Sequence, residues 1–415
     1  MATIHVIGAG LAGLSAAVRL AKAGRTVVVH EATATAGGRC RSYYDHSVGM
    51  TIDNGNHLIL SGNHAALAFL QTIGTEHQLK GPDTAEFPFI DLASKERWHL
   101  RPNPGALGWW IFSAARRVPG TRALDYLGIA RLLFARAGTP IADHMTCAGT
   151  LYDRLWHPLL LAALNTDPPE GDAALAAAVI RETIVRGGHA YRPLIAREGL
   201  SDTLVEPAIR FLKSRNADVR FEHNLHALRF HDRRIVALDF GSDTVELGAG
   251  DAVVLAVPPF IAKGLLPGVA VPDEFRAIVN AHYAIEPPAS FPPMIGVING
   301  TVEWIFAFPG RLSVTISGAD RLMTTPREQL AETIWREVAE VAGIAAPMPA
   351  WQIVRERRAT FAALPAQNAK RPGATTKWDN LILAGDWTAT GLPATIEGAI
   401  RSGNTAADVL NRRAS

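Results

Sequence analysis

The sequence predicts a combined α/β and α+β protein, in which a parallel-sheet domain built from both ends of the chain is interleaved with a second domain. Residues 4–13 have the pattern of a strand, a glycine-rich turn and a helix, and residues 380–384 form an apolar run typical of a buried parallel strand. A chain of 415 residues, 48% of them hydrophobic, can bury enough core for two domains. We expect the first domain to comprise residues 1–75, 196–265 and 366–415, and the second to comprise residues 76–195 and 266–365.

Charge and cysteine content exclude several classes of protein. The formal net charge is +2, and no run of Lys or Arg forms the basic stripe that a nucleic acid requires. Cys40 and Cys147 match neither a zinc site nor a disulfide framework, which favours free thiols in a reducing compartment. Residues 1–7 lack the features of a signal peptide, and no apolar run is long enough to span a membrane. We therefore expect a cytoplasmic protein.

The glycine-rich turn from Gly8 to Gly13 has the spacing of a dinucleotide-binding fingerprint. One glycine allows the tight turn, one lets the backbone approach a pyrophosphate, and one lets the helix pack against the strand. The next predicted strand ends at Glu31, whose carboxylate can bond a ribose hydroxyl and would repel a 2′-phosphate. A simple surface role for Glu31 is the alternative. The predicted cofactor contacts in this Rossmann-type unit are Gly8, Gly10, Leu11, Ala12, Gly13 and Glu31.

A second glycine motif, Gly37-Gly38-Arg39, follows the fingerprint. Two glycines allow close backbone approach, and a guanidinium can bind phosphate through two hydrogen bonds. This extension resembles the superfamily of flavin-containing amine oxidases, phytoene desaturases and protoporphyrinogen oxidases, in which the loop wraps the cofactor and the arginine faces its phosphates. The resemblance implies a glutathione-reductase-like domain that binds FAD, with Gly38 and Arg39 among the contacts.

Near the C-terminus, the apolar run 380–384 delivers Gly385 and Asp386 at its carboxyl end, the edge at which open α/β sheets bind ligands. A last helix is predicted to start near Thr395 and Ile396, with free N–H groups that can face a flavin carbonyl. By the resemblance, Asp386 bonds the ribityl and pyrophosphate region, and the helix start lies under the isoalloxazine. A capping role for Asp386 is the alternative.

The middle of the chain adds a third predicted piece of the cofactor domain. Residues 218–221 and 227–230 have the pattern of paired strands, and an apolar strand over 251–259 ends in two prolines. By the resemblance, the backbone of Leu225 contacts the adenine, and the loop that contains Gly55 lies at the flavin edge.

Three longer strings narrow the resemblance, namely residues 53–57, 155–166 and 384–399. Together they resemble the hydroxysqualene dehydroxylases, the squalene-associated flavoproteins of bacterial hopanoid synthesis, and the resemblance covers nearly the whole chain. That family usually has Gln where this chain has Asn56. The resemblance implies a hydrophobic isoprenoid substrate, reductive loss of the hydroxyl of hydroxysqualene to give squalene, reduced FAD as hydride source, and an unidentified electron donor for the flavin.

The same strings argue against an amine substrate. Amine oxidases of the superfamily resemble one another in an aromatic residue before the terminal helix and a lysine in the substrate-domain strands. This chain has Gly-Leu-Pro at 391–393 and no lysine over 291–308. Two alternatives stay open: an FAD-dependent desaturase or oxidase of a carotenoid or other isoprenoid, and a flavin-containing protein that only binds lipid.

Three side chains are candidates for activating the leaving hydroxyl. His57 can donate a proton near neutral pH, or can bond a backbone carbonyl as a structural residue. Asn165 can hold the leaving oxygen, or can belong to a turn that ends a helix. Asp53 can act as an acid if burial raises its pKa, or can bind N–H groups of its loop. No metal site is predicted.

Residues 104–117 combine large aromatic side chains with a basic end, as an interfacial helix does. Such a helix would contact a membrane, at the inner membrane surface in a cytoplasmic protein, and would let the protein draw an insoluble lipid from it. The alternative is that Trp109–Phe112 line the core or a substrate tunnel.

Overall fold

The computed structural model describes residues 2–414. Its strands are β1 (Thr3–Ile7), β2 (Thr26–His30), β3 (Ser42–Asp45), β4 (Met50–Asp53), β5 (Leu58–Leu60), β6 (Leu79–Lys80), β7 (Phe87–Asp91), β8 (Arg97–Leu100), β9 (Pro193–Ala196), β10 (Asp218–Arg220), β11 (Ala227–His231), β12 (Arg234–Asp239), β13 (Thr244–Glu246), β14 (Ala252–Leu255), β15 (Phe275–Tyr283), β16 (Met294–Ile298), β17 (Trp304–Phe308), β18 (Arg311–Ile316), β19 (Trp351–Phe361) and β20 (Leu381–Leu383). Its α-helices are α1 (Leu11–Lys22), α2 (His64–Ile73), α3 (His157–Leu164), α4 (Ala173–Glu182), α5 (Glu206–Ser214), α6 (Pro259–Leu265), α7 (Arg327–Ala342), α8 (Pro365–Asn368) and α9 (Ile396–Ala414).

A five-stranded parallel sheet with the order β10-β2-β1-β14-β20 joins the two ends of the chain. The strands β14 and β20 are apolar on both faces, because α1, α5 and α9 cover one face of the sheet and the antiparallel sheet β11-β12-β13 covers the other. This burial explains why β14 and β20 lack polar residues. The predicted strand–turn–helix at the N-terminus and the predicted apolar strand near residue 382 are confirmed.

The predicted pairing of residues 218–221 with 227–230 is wrong. β10 lies beside β2 and extends the parallel sheet, whereas β11 pairs with β12 in the separate antiparallel sheet. A tight turn at Asp232, whose φ is +50°, sends β11 directly into β12. The backbone groups of β11 are therefore satisfied by the next strand in sequence, and β10 is free to pair with β2.

The remaining large sheet has seven strands in the order β19-β15-β18-β17-β16-β7-β8. One of its faces packs against α7 in an apolar core of its own. The other face joins an aromatic-rich core that also contains residues from 110–191 and from the antiparallel sheet. This second face therefore looks towards the region where the two large sheets meet.

The predicted interfacial helix at 104–117 is wrong, because the segment forms turns with a short 3₁₀ helix at Trp109–Phe112. The buried side chain of Asn103 replaces helical hydrogen bonding. Its amide Nδ2 donates to the carbonyls of Gly105 (2.9 Å) and Leu107 (2.8 Å), and its Oδ1 accepts the Trp110 N–H (3.2 Å). Among residues 2–414, no helix is both long and apolar enough to cross a membrane.

The first and last helices pack in unusually close contact. A Cβ on Gly403 of α9 would lie 2.2 Å from the carbonyl oxygen of Ala12 in α1. The side-chain hydroxyl of Ser15 donates across the interface to the carbonyl of Ile400 at 3.2 Å. Only glycine allows this approach.

The residue limits given above for the two domains stay a prediction.

Candidate functional site

The turn between β1 and α1 is built so that only glycine fits at two positions. Gly8 has φ +100°, and a Cβ there would lie 2.7 Å from the carbonyl oxygen of Ala256. A Cβ on Gly13 would lie 1.9 Å from the carbonyl oxygen of Gly8. By contrast, a Cβ on Gly10 would meet no atom within 4 Å. The fold therefore requires Gly8 and Gly13, whereas the space beside Gly10 can accommodate a pyrophosphate.

Glu31 and the start of α1 face this turn. The Glu31 carboxylate accepts the backbone N–H of Ala9 at 2.8 Å and that of Thr33 at 2.9 Å, so its orientation is fixed. No side chain caps the N-terminus of α1, which leaves the first-turn N–H groups, including those of Leu11 and Ala12, available to an anion. The carboxylate keeps lone pairs that can accept a hydroxyl group.

The chain segment that carries Leu225 passes beside the same strand end. The backbone N–H of His223 donates to the carbonyl oxygen of Glu31 at 2.8 Å, and that of Glu222 donates to the carbonyl of Thr33 at 3.1 Å. Leu225 itself is buried. The structure thus brings the segment predicted to contact the adenine next to the predicted ribose-binding carboxylate.

Arg39 and Asp386 are joined directly, although 347 positions separate them in the chain. The Arg39 Nη2 lies 2.7 Å from the Asp386 Oδ2, and Arg39 Nη1 donates to the carbonyl of Ala359 at 2.5 Å. Gly38, with φ +56°, turns the backbone towards Gly10. These bonds leave part of the guanidinium N–H groups for a phosphate, and Asp386 is only 6% exposed.

Two residues that the sequence analysis missed hold the Gly385–Asp386 turn in place. The hydroxyl oxygen of Ser402 accepts the Gly385 N–H at 2.8 Å. The buried Arg371 donates to the backbone carbonyls of Asp386 (3.0 Å) and Thr388, and burial lowers its pKa to about 10. No motif surrounds Arg371, so only its three-dimensional contacts reveal this role.

The last helix begins where it was predicted to begin. The Thr395 hydroxyl accepts the N–H of Gly398 at 3.0 Å, so Thr395 caps α9, whose first residue is Ile396. The buried Glu397 carboxylate accepts the N–H groups of Ala65 (3.0 Å) and Ala66 (2.9 Å) in α2. The helix start is therefore anchored from the side.

Asp53 is the last residue of β4, and Gly55 lies in the loop that follows. Asp53 is 3% exposed, and its Oδ1 accepts the Ser42 hydroxyl at 2.6 Å and the Leu200 N–H at 2.9 Å. Arg311 Nη2 lies 3.9 Å from the other carboxylate oxygen. These contacts favour a loop-holding role for Asp53 over that of an acid.

A polar network beneath this loop was also missed from the sequence. The side chain of Asn280 in β15 donates to the carbonyl of Asn54 at 3.3 Å and accepts the Thr315 hydroxyl at 2.8 Å. Asn56 Nδ2 donates to the Val314 carbonyl at 3.2 Å. Its Oδ1 is buried and has no hydrogen-bond partner within residues 2–414. That oxygen is an acceptor for an N–H or O–H group of a bound molecule.

His57 lies in the same loop. Burial lowers its pKa to about 4, so the imidazole is neutral at pH 7. A neutral imidazole suits a hydrogen-bonding residue better than a strong proton donor.

Asn165 is 2% exposed and ends α3 in the left-handed conformation, with φ +48°. Its Oδ1 accepts the Gly318 N–H at 2.7 Å, and its Nδ2 donates to the Thr360 hydroxyl at 3.0 Å. Both polar groups are therefore used within the protein, which favours the helix-ending role.

The region next to the Gly385–Asp386 turn is strongly apolar. Trp387, which follows Asp386, belongs to the same continuous buried cluster as Trp156 of the 155–166 string and the aromatic face of the seven-stranded sheet. The aromatic members of that sheet face are Phe87, Phe89, Trp98, Phe306, Phe308 and Phe361, and its other members are Leu100, Met294 and Ile298. In the described part of the chain, no three His, Cys, Asp or Glu side chains are grouped to hold a metal ion. The site thus combines a polar half, formed around Gly10, Glu31 and the Arg39–Asp386 pair, with an aromatic half.

Comparison with known proteins identifies relatives over nearly the whole chain. A family model described as flavin containing amine oxidoreductase matches residues 11–411. The chain is 62% identical to a hydroxysqualene dehydroxylase of Rhodopseudomonas palustris, with 98% of each chain covered. It is 47% identical to a hydroxysqualene dehydroxylase of Zymomonas mobilis, with 99% of each covered. The structure superposes on cyclohexylamine oxidase of Brevibacterium oxydans with a TM-score of 0.69 at 16% identity, covering 100% of this chain and 99% of that one. At that identity the likeness concerns the fold.

Proposed function

The chain belongs to the hydroxysqualene dehydroxylases within the flavin-containing amine oxidoreductase family, and we propose that it converts hydroxysqualene to squalene. It is an FAD-dependent oxidoreductase. The proposed substrate is supported above all by the 62% identity, over 98% of both chains, to a protein named hydroxysqualene dehydroxylase.

The net reaction breaks the C–O bond of the alcohol and forms a C–H bond at the same carbon. The hydroxyl group takes up a proton and leaves as water. When bound, reduced FAD supplies the hydride and is oxidised by two electrons. A separate electron donor, which no residue pattern of this chain identifies, must then reduce the flavin again.

We propose that the polar half of the site holds FAD. Gly10 with the N–H groups of Leu11 and Ala12 would receive the pyrophosphate, Glu31 a ribose hydroxyl, and Arg39 the phosphates. The other proposed contacts are the turns at Gly8, Gly13, Gly38 and Gly55, the Leu225 backbone at the adenine, Gly385 and Asp386 at the ribityl chain, and Thr395 and Ile396 at the isoalloxazine. The open space at Gly10 and the unpartnered Asn56 Oδ1 support this proposal.

We propose that the aromatic half encloses the isoprenoid chain. An allylic alcohol that ionises must receive hydride before water reaches the cation, and apolar walls exclude water. Among the polar candidates, His57 would donate a hydrogen bond to the leaving oxygen. Asp53 and Asn165, whose polar groups are already engaged, would act by holding the loop and the helix end. The assignment of substrate domain and cofactor domain to the residue ranges given above is part of the proposal.

The decisive experiment uses the purified holoenzyme without oxygen, with its flavin reduced by dithionite. Hydroxysqualene dispersed in detergent is added, and products are separated by gas chromatography with mass detection. We expect squalene in an amount equal to the flavin oxidised, with one deuterium incorporated when the reaction runs in D₂O. The oxidised enzyme is the control and should form no squalene.

Two outcomes would contradict the proposal. Dehydrogenated isoprenoids formed by the oxidised enzyme, with no squalene from the reduced enzyme, would indicate a desaturase or oxidase. Unchanged flavin absorbance with substrate in both redox states would indicate a lipid-binding flavoprotein.

We further propose that the protein makes peripheral contact with the inner membrane surface of the cell.

A further inference from the structure

We propose that a defined apolar surface on the substrate side docks on an anionic lipid bilayer, an inference that rests on the proposed lipid substrate. The surface, here called the docking surface, consists of Leu107, Trp109, Phe112, Leu124, Leu127 and Phe134. Its second half, from 124 to 134, lies outside the segment that the sequence pattern indicated.

The exposure of these side chains is exceptional for this protein. They are 81%, 66%, 72%, 75%, 63% and 84% exposed in chain order. Within residues 2–414 they are the six most exposed large hydrophobic side chains. Single exposed apolar residues are ordinary, but a cluster of this kind marks an interaction surface.

Two short 3₁₀ helices, Trp109–Phe112 and Ala123–Ile129, carry four of the six residues and pack against each other. Their inner sides meet through Trp110 and Tyr126, whose rings contact edge to face with 5.3 Å between centroids. The Tyr126 hydroxyl accepts the Val118 N–H at 3.0 Å, which fixes the connecting segment. Because the inner sides are anchored together, the exposed side chains of these two helices lie on neighbouring parts of the surface.

The charge around the docking surface selects an anionic partner. Residues 101–136 contain six arginines and a single acidic residue, Asp125. The whole chain has a net charge of only +2, so this segment is basic while the remainder is net acidic. Exposed arginines beside exposed aromatic residues suit the headgroup region of an anionic bilayer. A second copy of the chain would bring arginines face to face, which is unfavourable.

The core behind the docking surface belongs to the same buried apolar cluster as residues beside the candidate site. Trp110, Tyr126 and Leu132 lie on the inner side and belong to the same buried apolar cluster as Trp156 and Trp387. Trp387 is adjacent to the Arg39–Asp386 pair. The docking surface therefore covers one end of the apolar cluster whose other end reaches the cofactor half of the site.

The test measures co-sedimentation of the holoenzyme with vesicles of phosphatidylcholine alone or mixed with phosphatidylglycerol. We expect stronger binding to the phosphatidylglycerol vesicles, weakened by salt. The double variant Trp109→Ser with Phe112→Ser should bind about tenfold or more weakly, because it removes two exposed aromatic side chains that would enter the bilayer. The matched control is Tyr44→Ser, since Tyr44 is 57% exposed outside the docking surface and its loss should leave binding unchanged.

Three results would overturn the proposal: no binding of the wild type to either vesicle, equal binding of the double variant, or a wild-type dimer that the double variant abolishes. The squalene assay in detergent separates this proposal from the proposed function. Squalene formation without vesicle binding overturns only the docking surface. Vesicle binding that depends on Trp109 and Phe112, without squalene formation, supports the docking surface and overturns the substrate.

Discussion

The parallel sheet and the seven-stranded sheet build the two halves of the site from different chemistry. At the carboxyl edge of the parallel sheet, backbone N–H groups, Glu31 and the Arg39–Asp386 pair form a polar surface. On the inner face of the seven-stranded sheet, the side chains are mainly aromatic and aliphatic. The two halves meet at Trp387, one residue after Asp386.

The difference teaches how each half gains specificity. The polar half depends on a few atoms in fixed positions, so one methyl group or one carboxylate decides its function. The aromatic half depends on a continuous apolar volume, to which many residues contribute a little each. The effects of substitutions in the two halves should therefore differ in magnitude, in the property that changes and in their dependence on pH.

The largest effect is expected from Gly13→Ala in the polar half. Its Cβ would lie 1.9 Å from the Gly8 carbonyl oxygen and 3.3 Å from the Ala256 Cβ, so backbone atoms of the tight turn would have to move. We expect a loss of about 3 kcal/mol or more in the free energy of unfolding, together with loss of bound flavin. Thermal unfolding of the apoprotein and the flavin content measure these effects.

Gly10→Ala is the matched control at the same helix end. Its methyl group meets no protein atom within 4 Å, so the apoprotein should keep its Tm. FAD should nevertheless bind more weakly, because the methyl group takes the space proposed for the pyrophosphate. A Gly13→Ala protein with normal Tm and normal flavin content would contradict the tight packing described here.

Asp386→Ala should weaken FAD binding by about 100-fold, or about 2.7 kcal/mol, because a buried acceptor is removed and Arg39 loses its partner. Flavin fluorescence titration of the apoprotein gives the Kd. The control is Asp379→Ala, which removes an exposed ion pair with Arg233 and should change the Kd little. Equal effects of both variants would indicate a general loss of stability.

The polar half should lose stability in acid. Burial, reinforced by the neighbouring His5, lowers the pKa of His30 to about 3 from 6.5. Below pH 6.5 the unfolded chain takes up a proton at this histidine and the folded protein does not. The free energy of unfolding is therefore unaffected by His30 above pH 6.5 and decreases as pH falls towards 3. His30→Phe keeps the stack on Phe240 and cannot titrate, so its stability loss between pH 7 and pH 4 should be smaller by about 2 kcal/mol in urea unfolding. An unchanged loss would contradict this role.

The substrate side should show the opposite response, with a smaller effect. Burial raises the pKa of Glu303 to about 7 from 4.5, so stability is highest below pH 4.5 and falls as pH rises through 7. Glu303→Gln should be more stable than wild type by about 1 kcal/mol at pH 8 and show no gain at pH 4. Glu332→Gln, on the exposed side of α7, is the control and should be neutral at both pH values. A gain that does not depend on pH would argue against titration of Glu303.

Contiguous motifs made the polar half predictable. Gly8 to Gly13, Glu31, Arg39 and Asp386 each belong to a short string whose spacing follows from strand, turn and helix geometry. Asn280 and Arg371 could not be found in this way. Each acts through contacts with a distant part of the chain, and neither lies in a string with a recognisable period.

The errors have a related cause. The pairing of residues 218–221 with 227–230 was inferred from two strand patterns that are close in sequence. Strand pairing depends on the whole fold, and residues 218–220 pair with β2 instead. The aromatic and basic pattern of 104–117 is real, yet the side chain of Asn103 satisfies the backbone groups that a helix would need. Exposure of the second cluster at 124–134 depends on tertiary packing and carries no sequence signal.

The close packing of α1 and α9 has a consequence for protein synthesis. Half of the polar site leaves the ribosome early, with Gly8 and Glu31, whereas Asp386 and the start of α9 are translated almost last. The strand β20, which closes one edge of the parallel sheet, also belongs to this late part. The nascent chain therefore cannot assemble the complete polar half, and we expect the proposed binding of FAD there to wait until nearly the entire polypeptide has been made.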